Sequence, residues 1–297
     1  MTELDEFFNR ANHLLDKLET ILPGMPATPG AAGNPALRWK CRGERCWLEP
    51  VRFVSAIELD DLQCVDHQKS VILRNTRQFM QGLPANNVLL WGPRGTGKSS
   101  LIKAVFNAFR SEGLRLIEVE SRHLVDLHEI CAQIERRSDC HLIYCDDLSF
   151  AENDPEYKAL KVILDGSVGA TPENVLVYAT SNRRHLLPEY MSENRQAEII
   201  EGELHLSDAT EEKISLSERF GIWLSFHPFN QEQYLLIVDY WLGKLAAPPA
   251  PPETVHQAAL RWALEHGGSR SGRVAWQFAR DWTGRAGLSP NVSETLP

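Results

Sequence analysis

The sequence has no apolar run near the roughly 18 residues that a bilayer-spanning helix requires, so no membrane segment is expected. Met1 to Arg10 have neither the basic start nor the apolar stretch of a secretory leader. An excess of positive charge is missing too: 31 Lys and Arg stand against 40 Asp and Glu, a formal net charge of −9. Such a chain has no overall attraction for nucleic acid or for an anionic membrane surface. Nucleic acid is therefore not the favoured partner, although a local basic patch leaves it open. Cysteine is sparse, six in 297 residues. With neither a span nor a leader the protein is expected to be cytoplasmic, and its thiols are then expected to stay reduced. Cys131, Cys140 and Cys145 lie in apolar or helical stretches and read as small core residues. Cys41 and Cys46 form the close pair, but the spacing in CRGERC is unusual for zinc, even with Cys64 and His67 in reach.

What is present is ordinary for a globular chain, 43% hydrophobic and 24% charged. Leu4, Phe7, Phe8, Ala11, Leu14, Leu15, Leu18 and Ile21 recur at helical spacing and predict an amphipathic helix over 2–22. The Pro-, Gly- and Ala-rich stretch 23–35 reads as a linker. Residues 36–54 have no clear period and fit a short hairpin. From 55 onward strand and helix patterns alternate. Helices are expected over 66–81, 101–109, 124–134 and 157–164. Strands are expected over 87–91, 114–119, 141–145, 175–179 and 222–226. This alternation predicts an α/β fold, with a parallel sheet covered on both faces. After Pro228 only helical patterns remain, over 234–245, 255–266 and 274–282. The expected organisation is an N-terminal extension (1–54), an α/β core (55–228) and a helical lobe (229–297).

Gly92-Pro93-Arg94-Gly95-Thr96-Gly97-Lys98-Ser99 matches the phosphate-loop pattern, between the apolar NVLLW and an amphipathic helix. Its glycines let the backbone curl so that N–H groups surround phosphates. Lys98 brings a point charge to the terminal phosphates, the Ser99 hydroxyl coordinates Mg2+, and Ser100 continues the helix whose positive end faces the same anion. The expected ligands are ATP and Mg2+. A second requirement is an acid at the end of a neighbouring apolar strand. His141 to Asp147 supplies two: Asp146 for the magnesium shell and Asp147 where many hydrolases orient a water.

The order of these motifs, followed by Ala179-Thr180-Ser181-Asn182, by Glu218-Arg219-Phe220-Gly221 and by a helical tail, resembles an AAA+ ATPase. That resemblance implies a P-loop core with a parallel five-stranded sheet and a C-terminal lid. It gives Asn182 the sensor-1 role, beside the γ-phosphate or the attacking water. It makes Arg219 an arginine finger toward a neighbouring subunit, and so implies a homo-oligomer. Gly268 to Ala275 resembles the sensor-2 segment, with Arg273 the better candidate and Arg270 the alternative. Leu59 to Asp66 resembles the segment that frames adenine, with Val65 at the base; the usual pattern has Gly where Cys64 stands. LPANNVLLWGPRGTGKSSL, CDDLSF, LSERFGIWLSF and SGRVAWQF are similar to the bacterial domain-of-unknown-function family 815.

The resemblance implies an ATPase that hydrolyses ATP at a subunit interface and drives a conformational switch on a protein client. One departure bears on turnover. Asp147 replaces the commoner Glu and is one methylene shorter; Glu152 is the nearby substitute. The alternative is therefore a nucleotide-gated loader or adaptor with little hydrolysis. A small-molecule kinase explains neither Arg219 nor the helical tail. The acidic stretch 192–213 is read as a solvated loop, or more sharply as a partner-docking insert.

Overall fold

The computed structural model describes residues 34–43, 45–135, 137–150, 154–165, 172–183, 198–200, 203–205 and 219–287. The helix expected over 2–22, nearly all of the linker and Glu152 lie outside these residues.

Alternating apolar residues form strands here because each face of the sheet is covered. In β3 (Val88–Trp91), Val88 and Leu90 join one apolar cluster and Leu89 joins the other. In β5 (Cys140–Cys145) and β6 (Val175–Ser181) the same alternation sends Leu142, Tyr144, Leu176 and Tyr178 one way. Ile143, Cys145, Val177 and Ala179 go the other. The first cluster packs under α1 (Asp66–Met80) and α2 (Lys98–Phe109) and continues into the lid. The second lies under α3 (Leu127–Ile134) and α4 (Pro155–Asp165). The stretch expected as one helix over 124–134 begins instead as a 3-10 turn, Ser121–Asp126, before α3. A buried polar knot fixes α1 on the sheet: Asn75 Nδ2 donates to the Tyr178 hydroxyl at 3.1 Å, and that hydroxyl lies 2.7 Å from Thr76 Oγ1.

The main sheet has seven strands, not five, in the order β2-β1-β4-β5-β6-β3-β9. Its parallel core is β4 (Leu114–Val119), β5, β6, β3 and β9 (Ile222–Ser225). The two further strands come from the hairpin expected within 36–54. β1 (Ala36–Arg42) pairs parallel with β4, and β2 (Arg45–Pro50) closes the edge antiparallel to β1. A period-based reading finds strands but not the edge they join, which is why the count fell short. Two short strands, β7 (Glu198–Ile200) and β8 (Glu203–His205), pair antiparallel within the acidic stretch read as a loop.

The hairpin also corrects the cysteine expectation. Cys41 and Cys46 face each other directly across it and are joined as a disulfide. Cross-strand pairing sets the two side chains side by side, a closeness that spacing along the chain does not reveal. Cys64, Cys131, Cys140 and Cys145 are free thiols.

The lid consists of α5 (Gln231–Lys244), α6 (Pro252–Glu265) and α7 (Gly272–Ala286). Each begins with a standard device. Asn230 caps α5 by accepting from Gln233 N at 2.8 Å, proline opens α6, and Ser271 caps α7. No helix among the described residues is long and apolar enough to cross a membrane.

Candidate functional site

Parallel strands aligned in one direction bring their C-terminal ends to one edge, where α/β sheets open a crevice. Here the crevice is a cleft of about 770 Å³ between that edge and the lid. It is in the range of small-molecule sites.

The loop after β3 sets the floor. Gly92 has φ 140 and its carbon lies against Phe226, whose backbone oxygen a Cβ would strike. Gly97, at φ 104, turns the chain left-handed to begin α2. Lys98 is 6% exposed, and its ammonium donates to Gly92 O at 2.6 Å, Pro93 O at 2.8 Å and Asn182 Oδ1 at 3.1 Å. Burial draws its pKa down to about 8, against the opposing pull of Asp147 and Asp146. Thr96 Oγ1 donates to Pro93 O at 2.9 Å and braces the loop from within.

The acidic strand β5 ends beside this loop. Asp146 Oδ1 accepts from Ser99 Oγ at 2.7 Å and from Thr180 Oγ1 at 2.7 Å. Burial pushes its carboxyl up, but these hydroxyls outweigh it and hold the pKa below the ordinary carboxylate value. Asp147, two residues beyond the end of β5, adopts φ 53. Its Oδ1 accepts from Asn182 Nδ2, and its Oδ2 is 3.5 Å from Arg94 Nη2. Asn182 thus bridges Lys98 and Asp147. Ser99 and Asp146 form a hard-oxygen pair open to the cleft, a donor set that suits Mg2+.

The wall opposite the loop is apolar: Ile57, Leu62 and Val65 from the core face Ile237 and Trp241 of α5 and Trp276 of α7. Cys64, where the usual pattern has Gly, sits at φ 63. The left-handed backbone explains the usual residue and marks Cys64 as strained. The lid is tied to this wall. Asp61, 5% exposed, accepts from Tyr240 Oη at 2.8 Å and pairs with the Lys244 ammonium. At the loop end, Gly272 N donates to Gly95 O at 2.9 Å.

Gly95, Thr96, Gly97, Lys98, Ser99, Ser100, Arg94, Asp146, Asp147, Asn182, Val65 and Arg273 all line the one cleft. Gly92 and Pro93 join it through their carbonyls on Lys98. Arg270 is not among the lining residues, so of the two lid arginines it is Arg273 that faces the cleft. Arg219 is not brought there either. It precedes β9 at the N-terminal end of the sheet, whereas the cleft is at the C-terminal ends. Sequence reasoning missed Thr180, although a hydroxyl in an otherwise apolar buried strand was a visible signal. It also missed Asp61, Tyr240 and Lys244, whose meeting has no local signature.

No curated protein matches the sequence. Among solved structures, a point variant of RuvB from Thermotoga maritima superposes with a TM-score of 0.51 at 16% identity, over 77% of this chain and 65% of that one. The Aeropyrum pernix ORC1 protein, solved in complex with DNA, gives a TM-score of 0.50 at 16% identity, over 72% of this chain and 58% of that one. The chain thus spans less than two thirds of either. The likeness is one of fold, that of the P-loop AAA+ domain. The family model described as "Protein of unknown function (DUF815)" matches residues 32–286, most of the chain, and the protein belongs to that family.

Proposed function

We propose that the cleft binds ATP with Mg2+ and hydrolyses it, and that the lid carries the resulting change to a protein partner. The observation that carries this reading is the convergence of Lys98, the Ser99–Asp146 pair and the Asp147–Asn182 pair on one cleft. The ammonium of Lys98 and the N–H groups of the loop offer positive charge to phosphates, and α2 adds its N-terminal dipole. Ser99 and Asp146 would hold Mg2+, which when bound neutralises phosphate charge. Asn182 holds the carboxylate of Asp147 in a fixed direction, the arrangement required of a group that receives a proton from water. The apolar wall of Val65, Ile237 and Trp241 suits a flat base.

A fluorescent ATP analogue should bind the wild type and not Lys98→Ala, with unchanged far-ultraviolet circular dichroism, and the wild type should release phosphate from ATP. Full-strength binding by Lys98→Ala would end the proposal. A specific observation favours the nucleotide-gated alternative: both carboxylate oxygens of Asp147 already have partners, Asn182 and Arg94. Tight binding without phosphate release at any protein concentration would select it.

A further inference from the structure

A second group of reactive side chains meets at the edge of the sheet, with β4, β5 and β6 between it and β3. Cys41 is next to last in β1 and Cys46 second in β2, directly opposite. His123 and Asp126 come from the 3-10 turn that follows β4, the parallel neighbour of β1. The turn therefore lies against the same end of the hairpin. The ligand atoms of Cys41, His123 and Asp126 all lie within 4.8 Å of one another, and all three residues are half-buried. Ligands placed tetrahedrally about 2.0–2.3 Å from a zinc ion are about 3.3–3.8 Å apart, so these three need to draw in by no more than about 1.5 Å to close round one.

Asp126 Oδ2 is the atom at which these side chains meet. That oxygen lies 2.9 Å from Trp39 Nε1, which donates to it, 3.1 Å from His123 Nδ1, and 3.5 Å from Cys41 Sγ. A thiol can donate across the last contact, but a disulfide sulfur has no proton to give. In the disulfide form a sulfur lone pair simply faces a carboxylate. Cys46 Sγ, bonded to Cys41, lies outside that group of three, so its freed thiolate has to turn toward it to become the fourth ligand. Two thiolates, an imidazole and a carboxylate are a donor set for zinc-class ions, and the indole N–H on Asp126 would fix that ligand from outside.

We propose that Cys41, Cys46, His123 and Asp126 bind one zinc-class divalent cation when the disulfide is reduced, and that the disulfide and the metal exclude each other. Opening the bond takes two electrons and two protons from an external dithiol, which becomes a disulfide. The cation then displaces the two thiol protons and is held by four protein groups. A site closed in this way is structural, not catalytic. It would clamp the hairpin to the turn that leads into α3. In the disulfide form only His123 and Asp126 remain as ligands, too few to retain the ion.

The test uses the full chain, stripped of metal by a chelator and titrated with Co2+ in two redox states. Protein reduced by a phosphine should bind one equivalent. It should show a sulfur-to-cobalt charge-transfer band in the near ultraviolet and tetrahedral d–d bands in the visible. Oxidised protein should show neither. Cys41→Ser should lose most of the charge-transfer intensity. His123→Ala and Asp126→Asn should each weaken cobalt binding by at least about tenfold, with the urea unfolding midpoint of the metal-free protein as the folding control. Should Cys41→Ser fail to fold, the two non-cysteine variants decide the matter. Absence of the bands in the reduced wild type would overturn the proposal. So would equal binding by oxidised protein, or undiminished binding by the His123→Ala/Asp126→Asn double variant.

Discussion

Lys98 is a cation that pays for its position in desolvation. Its pKa is about 8 in the folded chain against about 10.4 for a free lysine. Below about pH 8 it is charged in both folded and unfolded chains, and the burial penalty stands in full. Between about pH 8 and 10.4 the unfolded chain holds more of the proton, so this residue's contribution to stability rises with pH there. Phosphate binding should follow the opposite course, because it needs the ammonium. ATP affinity should be level up to about pH 8 and then fall by up to about tenfold per pH unit. Equilibrium titrations across that range check the slope, and a flat curve would remove Lys98 as the phosphate's cation. Asp147 offers a separate test at the same scale. Its φ of 53 is a conformation that asparagine also tolerates, and an asparagine oxygen still accepts from Asn182. Asp147→Asn should therefore keep nucleotide affinity within about threefold and lower phosphate release by about 10²-fold or more, the usual worth of a general base. Turnover at the wild-type rate would move that role to another residue.

Among the elements, α5 packs Tyr234, Ile237 and Val238 into the apolar cluster and is also tied to the core by a single acid. Tyr240 and Lys244 are one helical turn apart and both reach Asp61. Burial pushes the Asp61 carboxyl up, but the Lys244 hydrogen bond, the Glu58 N–H and Tyr240 together hold it below the ordinary value. A depressed carboxylate stabilises the fold above its unfolded pKa and loses that contribution as pH falls through the folded one. Asp61→Ala should cost about 1–3 kcal/mol in urea unfolding, flatten the acid limb of the stability profile and speed hydrogen exchange in α5. An unchanged acid limb would show that the contact is ornamental. What the sequence made legible follows the same division of scale. The phosphate loop, the acidic strand and Asn182 lie in short stretches whose chemistry is local, so their types and order could be read directly. The parallel core could be read because a strand buried on both faces is apolar throughout. The hairpin's place on the sheet could not, since nothing in β1 names β4 as its neighbour. Neither could the ties between lid and core. Asp61 and Lys244 are 183 positions apart, and Gly272 meets Gly95 through backbone atoms alone.

At the scale of the whole molecule, the question is how Arg219 and the cleft can act together. β9 is the edge strand of the sheet and runs parallel to β3, with Ile222 beside Val88 and Ser225 beside Trp91. The phosphate loop leaves the Trp91 end. Arg219 precedes the Ile222 end, so β9 alone puts roughly 13 Å between them. A guanidinium on that side does not serve the cleft of its own chain, but an edge is where a second copy can dock. Planar, permanent charge of this kind suits the transition state of phosphoryl transfer and is worth on the order of 10³–10⁵ in rate where it has been measured. If Arg219 completes a neighbour's site, ATP should promote self-association, and specific activity should rise with protein concentration. Arg219→Ala should bind ATP like the wild type and lose most turnover. Mixing it with Lys98→Ala should restore part of the activity. At one interface in such a mixture, the first variant supplies an intact cleft and the second supplies the arginine. Sedimentation and phosphate release, followed over the same concentration series, decide the point. A strict monomer with a concentration-independent rate, untouched by Arg219→Ala, would exclude assembly as the source of catalysis and leave each chain to work alone.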